Sequence, residues 1–171
     1  MKIKLILVAA AASTALAIAA PEANREMQAV LDELGTLGGK PIETLSPEEA
    51  RKQPSPADAV KSLLKKRGDK VAPESVAKVE NKSIPVSGGE IPIRIYSPEG
   101  KGPFPVIVYI HGGGWVIADL DTYDSSPRAL ANGCKAVVVS THYRLAPEHP
   151  FPASHEDVFA AYPPSSTGEN L

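Results

Sequence analysis

The residues with the clearest chemical potential are three consecutive glycines, Gly112 to Gly114, which stand between His111 and Trp115. They follow the apolar stretch FPVIVYI, so a flexible loop comes directly after a strand-like segment. Main-chain N–H groups in such a loop can point together at an oxygen that gains negative charge during a reaction, and glycine has no Cβ to obstruct a substrate. The sequence therefore indicates an oxyanion hole, with a tight turn that binds nothing as the alternative.

Two phosphate-binding interpretations of the same glycines fit less well. A P-loop requires G-x-x-x-x-G-K-[ST], and no lysine follows these glycines at that spacing. A dinucleotide fingerprint requires G-x-G-x-x-G directly before a helix, but Gly112 and Gly114 supply only its first half. No cofactor is therefore predicted.

Other catalytic and metal-binding motifs are incomplete. The pattern S-x-x-K occurs at Ser62–Lys65 and again at Ser75–Lys78, without the S-D-N or K-T-G motifs that accompany it in penicillin-binding enzymes. The pair His155-Glu156 does not begin an H-E-x-x-H zinc motif, because Phe159 stands where the second histidine is required. No metal site is predicted.

The composition is that of a globular domain or of part of a larger one. Of 171 residues, 43% are hydrophobic and 5% aromatic, and the formal net charge is −2. A near-neutral chain with few aromatic residues lacks the basic surface that nucleic-acid binding needs, so that partner is excluded. The single cysteine, Cys134, lies beside an apolar run and is expected to be buried and unreactive.

A first amphipathic helix is predicted from apolar residues at Met27, Val30, Leu31 and Leu34, with Gly35 expected to end it.

Two more helices are indicated by repeated Ser-Pro start signals. Ser46 is a predicted N-cap, with Glu49 completing a capping box and Pro54 ending the helix. Ser55 begins the next helix, and Gly68 is expected to end it.

The pattern then changes to strands. Residues 75–86 and 91–98 are predicted to form a hairpin that turns at residues 87–90. The stretches FPVIVYI and AVVVS are predicted to be buried strands, and the helix between them is expected to end at Gly133. This order predicts an α/β protein in which the crossover makes the last two strands parallel.

The motifs HGGGW and YRLAPEHPFPA together closely resemble the hormone-sensitive-lipase branch of the α/β-hydrolase superfamily, also called α/β-hydrolase fold-3. The resemblance runs from Val79 to Tyr162. It implies that the N–H groups of Gly113 and Gly114 form the oxyanion hole, that His111 and Gly112 shape the turn, and that the substrate is a carboxylic ester. It also implies that the N-terminal helices form part of a cap over the acyl pocket.

The conformation of the proline-rich segment YRLAPEHPFPA can also be predicted from its residues alone. Its prolines prevent a helix or a sheet ladder, so an extended loop is predicted, with Tyr143, Arg144 and Glu148 as structural anchors. One departure from the family is His142, because relatives usually carry Asp at that position. The effect of this replacement stays open.

Four segments are predicted along the chain. Residues 1–19 have the lysines, apolar run and A-x-A site of a cleavable signal peptide, so export to the periplasm or medium is expected without a stable membrane span. Residues 20–73 are the helical cap region and residues 74–162 the N-terminal part of the hydrolase domain. Residues 163–171 are expected to be an aberrant polar tail.

The family's triad is not recognisable in these 171 residues. No serine has the G-x-S-x-G setting of a hydrolase nucleophile, and no partner acid or base is assigned. We therefore expect a partial α/β-hydrolase fold, truncated before the nucleophile elbow, whose apolar strand Val106–Ile110 lies at an exposed sheet edge. The expected function is an exported esterase or lipase fragment that is inactive alone. The alternative is a non-catalytic binding or interaction module, and the oligomeric state is left open.

Overall fold

A computed structural model describes residues 23–162, so the predicted signal peptide and the predicted tail at 163–171 lie outside the described residues. Four strands and five α-helices occur in this part of the chain. In chain order they are α1 (Arg25–Thr36), α2 (Pro47–Arg51), α3 (Pro56–Arg67), β1 (Lys78–Val86), β2 (Gly89–Ser97), β3 (Val106–Ile110), α4 (Ser125–Cys134), β4 (Val137–Thr141) and α5 (Ala153–Ala160).

The N-terminal helices begin where their capping residues predict. Ser46 and Ser55 each accept a hydrogen bond from the third residue of the helix, and that residue's carboxylate binds the cap's N–H in return. The left-handed Gly68 ends α3 as predicted. The predicted helix α1 is present, but its predicted end at Gly35 was wrong, because the helix continues to Thr36 and the N–H of Leu37 closes its last turn.

The sheet has the order β1-β2-β4-β3. Strands β1 and β2 form the predicted hairpin, in which Val86 faces Gly89 across a two-residue turn. Strand β2 pairs antiparallel with β4, and β4 pairs parallel with β3, which confirms the predicted crossover. The fold class is therefore α/β, as expected.

Strand β3 lies at the edge of the sheet, where the described residues provide no second neighbour. Val106 is 45% exposed and Ile110 is 50% exposed. The prediction of burial on both faces was wrong for this strand, whereas the exposed apolar edge is present. Strand β4 lies inside the sheet, and Val138 and Val139 are buried as predicted.

The core forms on the two faces of β2 and β4. Ile93, Ile95 and Val139 make one cluster. Tyr96 and Val138 pack with the α4 residue Ala131 on the other face. Burial of these apolar side chains holds the two central strands together.

Helix α4 is fastened to β2 by Asp124, the residue before the helix. Its carboxylate accepts hydrogen bonds from the Tyr96 hydroxyl and from Arg128, both at 2.7 Å. The helix ends one residue later than predicted, at Cys134, because Lys135 takes the left-handed conformation instead of Gly133. Cys134 is exposed, so its predicted burial was wrong.

Candidate functional site

The glycine loop begins directly after β3 and has a backbone that only glycine accepts at its centre. Gly113 has a φ of 127° and Gly114 a φ of 59°. A Cβ on Gly113 would lie 2.1 Å from the main-chain oxygen of Ile117, and a Cβ on Gly112 would lie 2.8 Å from the Tyr123 hydroxyl. The loop therefore requires glycine at 113 both for close approach and for backbone freedom, whereas a side chain at 112 would displace the Tyr123 hydroxyl.

The loop is a single tight turn with free main-chain donors. The oxygen of Gly113 accepts hydrogen bonds from the N–H of Val116 (3.1 Å) and of Ile117 (3.0 Å). Within residues 23–162, the N–H groups of Gly113 and Gly114 donate to no other group. Donors that have no internal partner can bind an external anionic oxygen.

A cleft of about 430 Å³ opens beside these glycines. Its lining combines the end of β3, the glycine loop and α5, and it includes Ile110, Gly112, Gly114, Trp115, His155 and Val158. Most of this lining is apolar. The structure therefore places the predicted oxyanion loop in the wall of a largely apolar cleft, the kind of site that binds a small organic ligand.

His111 is buried beneath the loop. Its Nδ1 lies 2.7 Å from the oxygen of Gly112, and since a carbonyl only accepts, Nδ1 carries the proton. Burial lowers the pKa of His111, which favours the neutral ring. Its Nε2 is buried and has no partner among the described residues. His111 thus contacts the turn through the oxygen of Gly112.

Tyr143 holds the loop from the other side. Its hydroxyl donates to the main-chain oxygen of His111 at 2.9 Å, and its ring stacks on the His111 ring with centroids 4.5 Å apart. Burial raises the pKa of Tyr143, so its hydroxyl stays protonated and remains a donor. The anchoring role predicted for Tyr143 is confirmed.

His142 also stacks on His111, with centroids 5.7 Å apart. Its main-chain N–H donates to the oxygen of Pro92, while its Nδ1 is buried without a partner in the part of the chain that the structure describes. The His142 imidazole therefore contributes to this site by packing on His111.

The other two predicted anchors also form long-range contacts. Arg144 binds the buried carboxylate of Asp157 through its guanidinium, at 2.7 Å for the shortest contact, and through its main-chain N–H at 2.9 Å. Glu148 pairs with Arg51 at the end of α2. Sequence reasoning missed Arg51 and Asp157, because neither belongs to a motif and both act on partners in other segments.

The chemistry available in the described residues is incomplete for ester hydrolysis. Ser154 lies in the cleft wall with its Oγ 3.3 Å from His155 Nδ1, but it is not on a strand-to-helix elbow. No group of three potential metal ligands occurs in residues 23–162. In the same range, every helix is too short or too polar to cross a membrane.

The sheet order, the parallel crossover and the glycine loop define a partial α/β-hydrolase domain. Residues 107–166 match the family model described as alpha/beta hydrolase fold. This match identifies residues 107–166 as part of an α/β hydrolase of the hormone-sensitive-lipase-like type.

Named relatives of the chain are esterases. A carboxylic ester hydrolase of Mycobacterium tuberculosis, LipN, is 48% identical over 90 residues, which are 53% of this chain and 24% of that protein. An arylesterase of Saccharolobus solfataricus is 37% identical over 91 residues, or 53% of this chain and 30% of the relative. The matched segments thus span less than a third of the length of each of these relatives.

Solved structures extend the similarity to more of the chain. A hyperthermophilic esterase from the archaeon Pyrobaculum calidifontis matches 83% of this chain and 42% of its own length, with 35% identity and a TM-score of 0.65. The carboxylesterase EstE1, cloned from a metagenomic library, matches 70% of this chain and 38% of its own, with 39% identity and a TM-score of 0.59.

Proposed function

We propose that this chain supplies the oxyanion hole and part of the substrate cleft of an exported carboxylic-ester hydrolase. The observation that carries the proposal is the pair of N–H groups at Gly113 and Gly114, which have no partner within residues 23–162 and lie beside an apolar cleft. In ester hydrolysis, a serine attacks the carbonyl carbon and the carbonyl oxygen becomes an anion in the tetrahedral intermediate. Donors already fixed in place stabilise that anion without reorganising during the reaction.

The choice of an ester substrate rests on the relatives and on the cleft. The named relatives hydrolyse esters, and an apolar wall formed by Ile110, Trp115 and Val158 suits an acyl chain or an aryl group. Export is proposed from residues 1–19 alone. The test is N-terminal sequencing of the protein recovered from outside the cytoplasm, which should begin at Ala20, whereas an intact Met1 would contradict cleavage.

On their own, these 171 residues should hydrolyse little ester. Without a recognisable nucleophile, the loop can bind a carbonyl oxygen but cannot form the acyl-enzyme. The purified chain should turn over p-nitrophenyl butyrate no faster than a heat-denatured sample. Saturable binding of the ester without turnover would favour the alternative, a binding module.

The oxyanion role can be tested in a fusion that supplies a serine nucleophile. Residues 20–162 are fused to the part of the Pyrobaculum calidifontis esterase that follows its aligned segment, and hydrolysis of p-nitrophenyl butyrate is measured. We expect activity in the fusion and a loss of about 100-fold or more in kcat for Gly113→Ala. The added Cβ would lie 2.1 Å from the main-chain oxygen of Ile117, so the loop must shift and its N–H groups no longer point at the oxyanion, which is equivalent to losing a donor.

A matched variant separates this loss from a general effect of added methyl groups. Gly133→Ala adds the same atom in an exposed part of α4, where nothing lies within 4 Å, and it should leave kcat unchanged. A folded Gly113→Ala fusion with the kcat of its parent would contradict the oxyanion role.

A further inference from the structure

Arg51, at the C-terminal end of α2, reaches out of the helical region and touches two loops at once. Its Nε donates to the main-chain oxygen of Val116, and its NH2 donates to the main-chain oxygen of Ala146, both at 2.8 Å. The same guanidinium pairs with both carboxylate oxygens of Glu148, at 2.8 and 2.7 Å. One side chain thus makes four hydrogen bonds to segments that are 65 to 97 residues away in the chain.

The two carbonyls belong to a junction that includes the glycine loop. Val116 lies in the turn that the oxygen of Gly113 closes. Ala146 donates its own N–H to the oxygen of Trp115 at 2.8 Å, so the two loops are already joined by one main-chain bond. Arg51 binds the carbonyl of Val116, the residue after Trp115, and the carbonyl of Ala146 itself. Its position therefore fixes the distance between the glycine loop and the proline-rich loop.

We propose that Arg51 is a positioning residue for the glycine loop, holding it against the proline-rich loop by binding the carbonyls of Val116 and Ala146. The helical region would then have a second role, in addition to the cap that the family resemblance implies. The catalytic meaning of the contact rests on the proposed function, but the contact itself does not.

The guanidinium group suits this task, because its donors form a planar fork that can serve several acceptors in fixed directions. A lysine ammonium at the same place could keep the charge pair with Glu148 but could not match both carbonyls and the bidentate carboxylate. An exposed ion pair alone would hold the loop weakly. The Arg51 hydrogen bond holds the pKa of Glu148 at about 2, so the pair stays ionised throughout the neutral range.

The direct test is amide hydrogen exchange of the 171-residue chain, followed for the N–H groups of Val116, Ile117 and Ala146. In Arg51→Ala, these amides should exchange about tenfold faster, the change expected when a charge-assisted hydrogen bond is lost. The amides of β4 should be unchanged. Arg51→Lys should resemble Arg51→Ala, since the charge alone does not satisfy the two carbonyls.

Lys52→Ala is the matched control. Lys52 is the next residue, and its ammonium pairs with Glu48 of the same helix at 2.6 Å. This variant should leave the three loop amides unchanged. If Lys52→Ala speeds their exchange as much as Arg51→Ala does, or if Arg51→Ala leaves them unchanged, the proposal is wrong. If Arg51→Ala fails to fold, the same comparison is made with Arg51→Lys, and normal exchange in that variant overturns the proposal.

Two further readouts complete the test. Trp115 is the only tryptophan of the chain, so its fluorescence reports on the glycine loop directly. Its emission and acrylamide quenching should change in the folded Arg51 variants and not in Lys52→Ala. In the active fusion, Arg51→Ala should lower kcat more than it alters KM. If Arg51→Ala speeds amide exchange but leaves kcat normal, Arg51 positions the loop without affecting catalysis. If Gly113→Ala lowers kcat and Arg51→Ala does not, the proposed oxyanion role still stands.

Discussion

The helical region and the sheet core of this chain are held together by different forces. In the core, the buried residues of β2 and β4 are mostly apolar. In the helix pair α1 and α3, the small apolar Ala59 is buried, and so is the charged Glu33, which accepts hydrogen bonds from Ser62 and Lys66, both at 2.6 Å. Apolar residues of the same two helices remain exposed, among them Met27 (52%) and Val60 (40%).

We infer from this difference that the sheet stabilises the fold, whereas the helices orient the loops that they contact. Apolar burial in the sheet supplies most of the free energy that opposes unfolding. The helices contribute a few polar contacts with defined directions, of which Arg51 is the one that reaches the glycine loop. Mutations in the two regions should therefore differ in size, and acid should affect the helices before it affects the sheet.

The largest contrast is expected between two truncations of apolar side chains. Ile93→Ala leaves a cavity in a cluster that is almost fully buried, and it should lower the free energy of unfolding by about 2–5 kcal/mol. Val60→Ala, on the exposed side of α3, should change it by no more than about 0.5 kcal/mol. Urea unfolding followed by far-UV circular dichroism measures both, and equal losses would refute the contrast.

A smaller effect, with opposite signs, is expected from adding one methyl group at two glycines. Gly113→Ala forces a side chain onto a left-handed backbone and against the oxygen of Ile117, so it should destabilise the chain by about 1–3 kcal/mol. Gly133→Ala removes a flexible residue from an exposed helical turn and should stabilise it by about 0.5–1 kcal/mol. Thermal unfolding curves distinguish the two, and an unchanged or higher Tm in Gly113→Ala would show that the loop is not constrained as described.

The smallest effect is expected from acid on the helix pair. The hydrogen bonds from Lys66 and Ser62 lower the pKa of Glu33. A lowered folded pKa means that the contact stabilises the folded state above the unfolded value of about 4.3 and is lost as pH falls further. Exchange protection factors, which correct for the intrinsic pH dependence, should therefore fall in α1 and α3 between about pH 5 and pH 3.

Glu33→Gln is the control for that titration. The amide cannot lose a charge, so protection in α1 and α3 should start lower and vary less over the same pH range. An identical pH dependence in both proteins would place the sensitivity elsewhere in the helical region, for example at the capping carboxylates Glu49 and Asp58, whose pKa values are also lowered by their serine partners.

Local chemistry made much of the fold predictable. The capping box at Ser46, the helix start at Ser55 and the hairpin turn each depend on residues within four positions of one another, and all were predicted correctly. The wrong helix ends at Gly35 and Gly133 have a shared cause. An exposed glycine costs a helix only about 1 kcal/mol, so the next capping interaction along the chain decides where the helix stops.

The candidate site was predictable only in its contiguous part. The glycines form one motif, and their left-handed backbone and close contacts agree with the loop that the motif implied. Arg51 and Asp157 could not be found, because what they bind is set by the packing of distant segments. The exposure of β3 could be predicted from its position at the sheet edge. It could not be predicted from its composition, because an apolar segment occurs in central strands and in edge strands alike.

The hydrogen bond from Tyr143 to His111 joins two residues that are synthesised at different times. The two residues are 32 positions apart, so β3 and its glycines leave the ribosome well before the tyrosine that holds them. At the usual pace of translation, that interval lasts roughly two to six seconds. Strand β4 appears within the same interval, and until it pairs, VIVYI is an apolar segment without a neighbour. The nascent chain is then most exposed to aggregation and to capture by a chaperone.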